Sequence, residues 1–135
     1  MKAVSVRIIT ADIKRLVQFF ENATGLQAKW ATDFFAEIAT GSCTLAIGST
    51  RTLSFFGGNI AEPASNKSVI IEFLVANVDD DYERIKDLTA NIIQAPTTMP
   101  WGNRSLLFRD PDGNLINFFT PVSPEAVKKF AALAI

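Results

Sequence analysis

The same order of secondary structure elements occurs twice along this chain, and no other feature limits its possible folds as strongly. In the first half, residues 4–9 alternate in the way that a strand does. Asp12 can cap a helix that runs to about residue 23, and Gly25 is well placed to end it. Strand-like segments then follow at residues 27–31, 34–39, 44–48 and 52–56.

The second half repeats this plan. Residues 68–76 form an apolar strand-like segment, and Asn77 can cap a helix that runs to about residue 88. An offset of 65 residues relates Ser5 to Ile70 and Arg7 to Glu72. Each half therefore reads β-α-β-β-β, although few residues are identical between the halves. The remaining strand-like segments are residues 91–94, 105–108 and 115–120.

These patterns predict a single α+β domain over residues 1–135. Ser123 followed by Pro124 indicates the start of a C-terminal helix over about residues 123–134. Its apolar stripe consists of Val127, Phe130, Ala131 and Ala134. The predicted parts of the domain are module one at about 1–57, a linker at about 58–66 and module two at about 67–121.

A tight turn near the C-terminal end connects two of the predicted strands. Pro111 fixes φ at the second turn position, and Gly113 tolerates a positive φ. The stretch Asp110-Pro111-Asp112-Gly113-Asn114 with its flanking strands resembles the C-terminal signature of the vicinal-oxygen-chelate superfamily. That superfamily holds glyoxalase I, bleomycin-resistance proteins and extradiol dioxygenases. The resemblance implies two β-α-β-β-β modules whose curved mixed sheets surround a groove, lined here by residues 5, 7, 9, 70, 72, 74 and 117.

The resemblance also implies where metal ligands would lie. Metal-using members of the family carry His, Gln or Glu at four groove positions, which correspond here to Ser5, Ala46, Ile70 and Asn117. The chain contains no histidine. An amide carbonyl alone is a poor ligand for a transition metal. We therefore predict no metal and no cofactor, and we do not expect glyoxalase-type or dioxygenase-type chemistry.

Two charged side chains are predicted to point into the groove from equivalent strands. Arg7 belongs to the first strand of module one, and Glu72 to the first strand of module two. Because an unpaired buried charge is costly, each needs a partner. Arg7 and Glu72 either pair with each other and close the groove, or they hold a ligand.

The loop before the penultimate strand adds two further candidates. Trp101 offers a stacking surface and Arg104 a planar donor fork. In bleomycin-resistance-like proteins a similar loop borders the ligand crevice, so we predict that Trp101 and Arg104 contact ligand. The alternative is that Trp101 closes one end of the core. Asn117 either contacts the ligand or bonds a neighbouring backbone group.

Composition excludes several classes of partner. Thirteen basic and fourteen acidic residues leave no basic surface for nucleic acid. No apolar run reaches the roughly 18 residues that a membrane helix needs. The single cysteine, Cys43, excludes an internal disulfide and fits a reducing cytoplasm, where we expect the protein to reside.

The sequence therefore predicts a metal-free small-molecule-binding protein, closest in character to the bleomycin-resistance-like branch. It would sequester a small, partly aromatic organic compound, toxic or antibiotic, bound between the modules near Trp101. One alternative is a metal-independent lyase or isomerase with Glu72 as acid or base; no other catalytic residue is assigned. Another is a structural or regulatory homodimer with a filled groove. We expect a homodimer in each case.

Overall fold

The computed structural model describes residues 1–133 and divides the chain into two compact units. The first comprises Met1–Asn66 with Pro111–Gly113, and the second comprises Lys67–Asp110 with the residues from Asn114 onward. Each unit contains one four-stranded sheet. No helix among the described residues is long and apolar enough to cross a membrane.

The first unit has the element order β-α-β-β-β followed by a 3₁₀ helix. Its sheet has the order β1-β4-β3-β2, in which β1 and β4 are parallel and the other pairs antiparallel. The elements are β1 (Ser5–Thr10), α1 (Ile13–Thr24), β2 (Lys29–Thr32), β3 (Phe35–Ala39), β4 (Thr44–Ser49) and the 3₁₀ helix Thr50–Phe56.

Helix α1 begins and ends where its capping residues require. The Asp12 side chain accepts a hydrogen bond from the Arg15 amide at 3.2 Å, and Gly25 ends the helix with φ of 72°. One apolar stripe of α1 is buried, and the helix packs against β4. Ile38 and Ile47 are fully buried on the sheet and form the core of this unit.

The prediction of a strand at residues 52–56 was wrong, because this segment is a 3₁₀ helix. The Ser49 side chain accepts from the Arg51 amide at 3.2 Å, and the Thr52 hydroxyl donates to the Ser49 carbonyl at 2.7 Å. These local bonds give the backbone an alternative to strand pairing. Gly57, with φ of 92°, then ends the helix.

The second unit repeats the plan of the first. Its sheet has the order β5-β8-β7-β6, again with one parallel pair, β5 and β8. The predicted α+β class with two mixed sheets is therefore confirmed. The elements are β5 (Ile70–Leu74), α2 (Val78–Ile85), β6 (Ile92–Thr98), β7 (Asn103–Arg109), β8 (Leu115–Pro121) and α3 (Pro124–Phe130).

The C-terminal helix α3 is capped as predicted but ends earlier. The Ser123 side chain accepts from the Ala126 amide at 3.1 Å, and the helix ends at Phe130. The Phe130 ring lies 5.1 Å from the Phe119 ring of β8. Ala134, the last member of the predicted stripe, lies outside the described residues.

The strand registers fix which residues share a face. Arg7 lies opposite Ala46 on the β1–β4 pair, and Glu72 lies opposite Asn117 on the β5–β8 pair. Side chains alternate between faces along each strand. We call the side of the first sheet with Arg7, Ile9, Ala46 and Gly48 the Arg7 face. We call the side of the second sheet with Ile70, Glu72, Leu74, Leu107, Asn117 and Phe119 the Glu72 face.

Alternation along the first strand of each module favours burial of Val4, Val6 and Val69 under the helices, but all three are exposed. Strands β1 and β5 each lie at one edge of their sheet. Helix α1 packs against β4, and α2 packs against β6, β7 and β8. The helices therefore lie over β4 in the first sheet and over β6, β7 and β8 in the second, and the starts of β1 and β5 stay uncovered.

Candidate ligand-binding residues

Glu72 and Asn117 form a polar pair on the Glu72 face. The parallel register of β5 and β8 places them side by side, and Asn117 Nδ2 donates to Glu72 Oε2 at 2.8 Å. Asn117 is only 9% exposed, whereas Glu72 is exposed. Because an ionised carboxylate only accepts hydrogen bonds, the amide nitrogen of Asn117 must face Glu72. The carbonyl oxygen Oδ1 therefore points away from the carboxylate.

This pair leaves acceptor atoms without donors. Asn117 Oδ1 is buried and has no hydrogen-bond partner among the described residues. No lysine or arginine in the described part of the second unit forms an ion pair with Glu72. The nearest neighbours on this face are apolar, with Ile70 exposed and Leu74 and Leu107 half-buried. Farther along β7, Ser105 and Arg109 lie on the same face. The Glu72–Asn117 pair therefore presents a carboxylate and free acceptor oxygens next to apolar side chains.

Arg7 lies against aromatic rings. Its guanidinium carbon is 4.8 Å from the centre of the Phe35 ring and 5.8 Å from that of Phe56. A Cβ at Gly48 would lie 3.1 Å from Thr52 Oγ1, a tight contact, and at ordinary contact distances of 3.4 and 3.8 Å from the Ile9 and Arg7 side chains. No acidic residue of the first unit forms an ion pair with Arg7 among the described residues. The ring contacts hold the cation while its N–H donors stay available.

Trp101 lies at the tip of the hairpin between β6 and β7. The turn is closed by bonds from the Gly102 amide to the Met99 carbonyl and from the Met99 amide to the Asn103 carbonyl, at 2.9 and 2.7 Å. The Trp101 side chain is 66% exposed, so it does not fill the core of the second unit. The ring is a free stacking surface on this unit.

Arg104 lies on the face of the second sheet opposite Glu72. Its neighbours along β7 on that face are the buried Leu106 and Phe108. The guanidinium donates twice to Asp79 in the first turn of α2, with Nε to Oδ2 at 2.8 Å and Nη2 to Oδ1 at 2.9 Å. These hydrogen bonds hold the pKa of Asp79 below its usual value and raise the pKa of Arg104. The structure thus brings Glu72 and Asn117 together and places Arg104 elsewhere.

We expect Arg104→Gln to raise the pKa of Asp79 toward its ordinary value, because the variant removes the bidentate donor and its charge. Since the folded-state pKa is lowered, the stabilisation from this pair is present at neutral pH and is lost as pH falls through that pKa. A carboxyl ¹³C NMR titration measures the shift. Arg84→Gln, which removes a partner of Asp81, should leave the Asp79 titration unchanged. Identical Asp79 titrations in the parent and Arg104→Gln would contradict this assignment.

The four positions that the resemblance assigns to metal ligands carry poor donors. Ser5 is exposed, Ala46 is buried, Ile70 is apolar and Asn117 already bonds Glu72. Catalytic transition metals in proteins take imidazole, thiolate or carboxylate ligands. No group of three or more such side chains that could hold a metal lies together within residues 1–133. As a donor set, these side chains do not fit a catalytic transition metal.

Two partnerships were not anticipated from the sequence. The bond between Asn117 and Glu72 follows from the β5–β8 register, which the duplicated pattern implies once those strands are paired in parallel. The sequence contains no motif that predicts the Arg104–Asp79 pair. The strand period of two indicates only that Arg104 shares a face of β7 with Leu106 and that Ser105 lies on the other face.

Comparison with known proteins identifies the family. The model of the Glyoxalase/Bleomycin resistance protein/Dioxygenase superfamily matches residues 2–118. The chain belongs to this superfamily. The YraH protein of Bacillus subtilis is 26% identical over 125 residues, which cover 88% of this chain and 98% of YraH.

Solved structures agree on the fold of this glyoxalase-superfamily chain. A glyoxalase/bleomycin resistance protein/dioxygenase family enzyme from Burkholderia phytofirmans matches with a TM-score of 0.80 at 19% identity, covering 90% of this chain and all of that one (100%). A glyoxalase/bleomycin resistance protein/dioxygenase from Nocardioides matches with a TM-score of 0.74 at 20% identity, covering 92% and 85% of the two chains. At these identities the likeness concerns the fold alone.

Proposed function

We propose that this superfamily member is a metal-free binding protein for a small, partly aromatic organic compound, which it sequesters without converting it. The observation that carries the proposal is the identity of residue 117 and the hydrogen bond that its side chain makes. This residue stands where the family signature places a Glu, and its amide is hydrogen-bonded to Glu72 at 2.8 Å. In this function, Asn117 contacts the bound organic compound and does not serve as a metal ligand.

Features of both units support this function. On the second unit, Trp101 offers an exposed ring for stacking. On the first unit, Arg7 is held against Phe35 and keeps its donors available. Such a mixture of apolar surface and a few fixed polar groups is typical of small-molecule sites. Arg104 contributes least to the proposal, because Asp79 occupies its guanidinium.

The proposal also covers the oligomeric state of the protein and its cellular compartment. Exposed phenylalanines at the end of the 3₁₀ helix, Phe55 at 86% and Phe56 at 55%, favour a homodimer that covers them. The lone Cys43 is exposed and favours a reducing compartment such as the cytoplasm.

A second candidate function is a metal-independent lyase or isomerase in which Glu72 moves a proton. One observation favours it: the Glu72 carboxylate is exposed and forms no ion pair with any described residue of its own unit. A general base must keep an oxygen available for the proton that it accepts.

Metal titration and ligand screening together test the binding function. Titration of chelator-treated protein with Zn²⁺, Ni²⁺ and Mn²⁺ in a calorimeter should give no saturable one-per-chain binding. A thermal-shift screen of small aromatic compounds should give hits whose affinities are unchanged by EDTA. Trp101→Ala should weaken these hits by about tenfold, the equivalent of 1.4 kcal/mol. One tightly bound metal per chain, or hits that disappear with EDTA, would overturn the proposal.

A further inference from the structure

Two acceptor oxygens on the Glu72 face lack donors. Asn117 Oδ1 is buried without a hydrogen-bond partner. Glu72 uses Oε2 to accept from Asn117, and no donor of the second unit bonds its other oxygen, Oε1, among the described residues. Buried polar atoms in folded proteins are nearly always paired, so an unpaired one requires an explanation. Asn117 Oδ1 is therefore available to accept a hydrogen bond from a ligand.

The charge of this pair favours a positively charged donor. The Asn117 amide is neutral, and one of its two N–H groups bonds Glu72, so the charge at this point is that of the Glu72 carboxylate. No lysine or arginine of the second unit forms an ion pair with Glu72 among the described residues. An anionic group placed here would face a like charge and two acceptors, whereas a cationic N–H donor gains charge-assisted hydrogen bonds.

We propose that Glu72 and Asn117 recognise an organic cation with several N–H donors on one group, an amidinium or a primary ammonium, attached to an apolar body. This inference rests on the proposed binding function and names the chemical class of its ligand. The cationic group donates to Glu72 Oε1 and to Asn117 Oδ1. The apolar body lies along the exposed Ile70 and the half-buried Leu107 on the same face.

The burial of the two residues sets the order of contact. Glu72 is exposed and meets the cation first. Asn117 is enclosed, and its oxygen receives the second donor after the Glu72 side chain has turned toward the ligand. The amide of Asn117 then selects for a group with more than one N–H. A quaternary ammonium, which has none, gains only the charge interaction with Glu72.

Four probes of similar size test this selectivity: benzamidine, benzylamine, benzyl alcohol and benzoate. Titrations are followed in ¹H–¹⁵N NMR spectra, where the side-chain NH₂ group of Asn117 reports directly on the pair. Benzamidine and benzylamine should shift the Asn117 NH₂ signals saturably and bind at least tenfold more tightly than benzyl alcohol or benzoate. Raising the salt concentration should weaken the two cations alone.

Matched variants separate the pair from general charge effects. Glu72→Gln keeps the side-chain shape, removes the charge and should weaken benzamidine by at least tenfold. Asn117→Leu should weaken it as well, with circular dichroism confirming that the variant stays folded. Glu62→Gln, the same change at an exposed loop position, should leave the affinity unchanged.

The outcomes distinguish this inference from the binding function on which it rests. Benzyl alcohol or benzoate binding as tightly as benzamidine, or a Glu72→Gln variant that binds benzamidine as the parent does, overturns the choice of ligand class alone. Failure of these probes and of every compound in the thermal-shift screen overturns the binding function with it. Binding of the cations that depends on both Glu72 and Asn117 establishes the site.

Discussion

Replacing Asp110 by Asn should lower the free energy of unfolding by about 3 kcal/mol, because this carboxylate is buried and accepts two hydrogen bonds from one residue. Asp110 is 2% exposed. Its Oδ1 accepts from the Asn114 amide at 2.9 Å, and its Oδ2 accepts from the Asn114 side chain at 2.7 Å. An Asn at 110 has one acceptor oxygen, so its own NH₂ group faces a donor of Asn114. Each lost bond to a charged acceptor costs about 1.5–3 kcal/mol.

Urea denaturation measures this loss as a lower midpoint at an unchanged slope. The matched control is Asp33→Asn, the same substitution at an exposed turn position, which should change stability by about 0.5 kcal/mol or less. If the two variants unfold at the same urea concentration, the bonds between Asp110 and Asn114 do not hold the turn.

Gly102→Ala should destabilise the second unit by about 2 kcal/mol or more, because the added methyl group has no space and the backbone is left-handed. Gly102 has φ of 92°, and a Cβ there would lie 2.0 Å from the Ser123 hydroxyl oxygen and 2.6 Å from the Ser123 Cβ. Ser123 is the N-cap of α3. The clash should therefore displace the start of α3 and, with it, the contact between Phe130 and Phe119.

Gly113→Ala separates the two causes. Gly113 also has a positive φ, 83°, but a Cβ there would meet no atom within 4 Å. This control carries the backbone cost alone, about 1 kcal/mol. Thermal unfolding of the two variants should show the larger loss for Gly102→Ala, and equal losses would mean that the turn moves away from Ser123 without cost.

The sequence was sufficient for elements whose ends are set by local chemistry. Helix α1 begins after Asp12 and ends at Gly25 as predicted, since capping bonds and left-handed φ values depend on a few adjacent residues. Residues 52–56 were wrongly predicted as a strand because Thr and Phe favour β structure. Local hydrogen bonds of the Ser49 and Thr52 side chains with the backbone outweigh that preference, and residue propensities do not include them.

The candidate site was only partly predictable, because its contacts join residues far apart in the chain. Alternation along one strand assigned Glu72 to the groove face and the family resemblance assigned Asn117 to it, and the strand register places the two on one face. Their mutual hydrogen bond required the pairing register of two strands 45 residues apart. The pairing of Arg104 with Asp79 required the position of a helix relative to a strand, which no local pattern encodes. Exposure of Val6 likewise depends on which strands the helix covers.

The turn that presents Trp101 is fastened to the start of α3 through one peptide group. The Gly102 carbonyl accepts from the Val122 amide at 2.8 Å and from the Ser123 amide at 3.0 Å. The turn that carries the Trp101 ring and the start of α3 are consequently expected to move together. Substitutions within residues 122–126 that shift the start of α3 should therefore also shift the turn that carries the Trp101 ring.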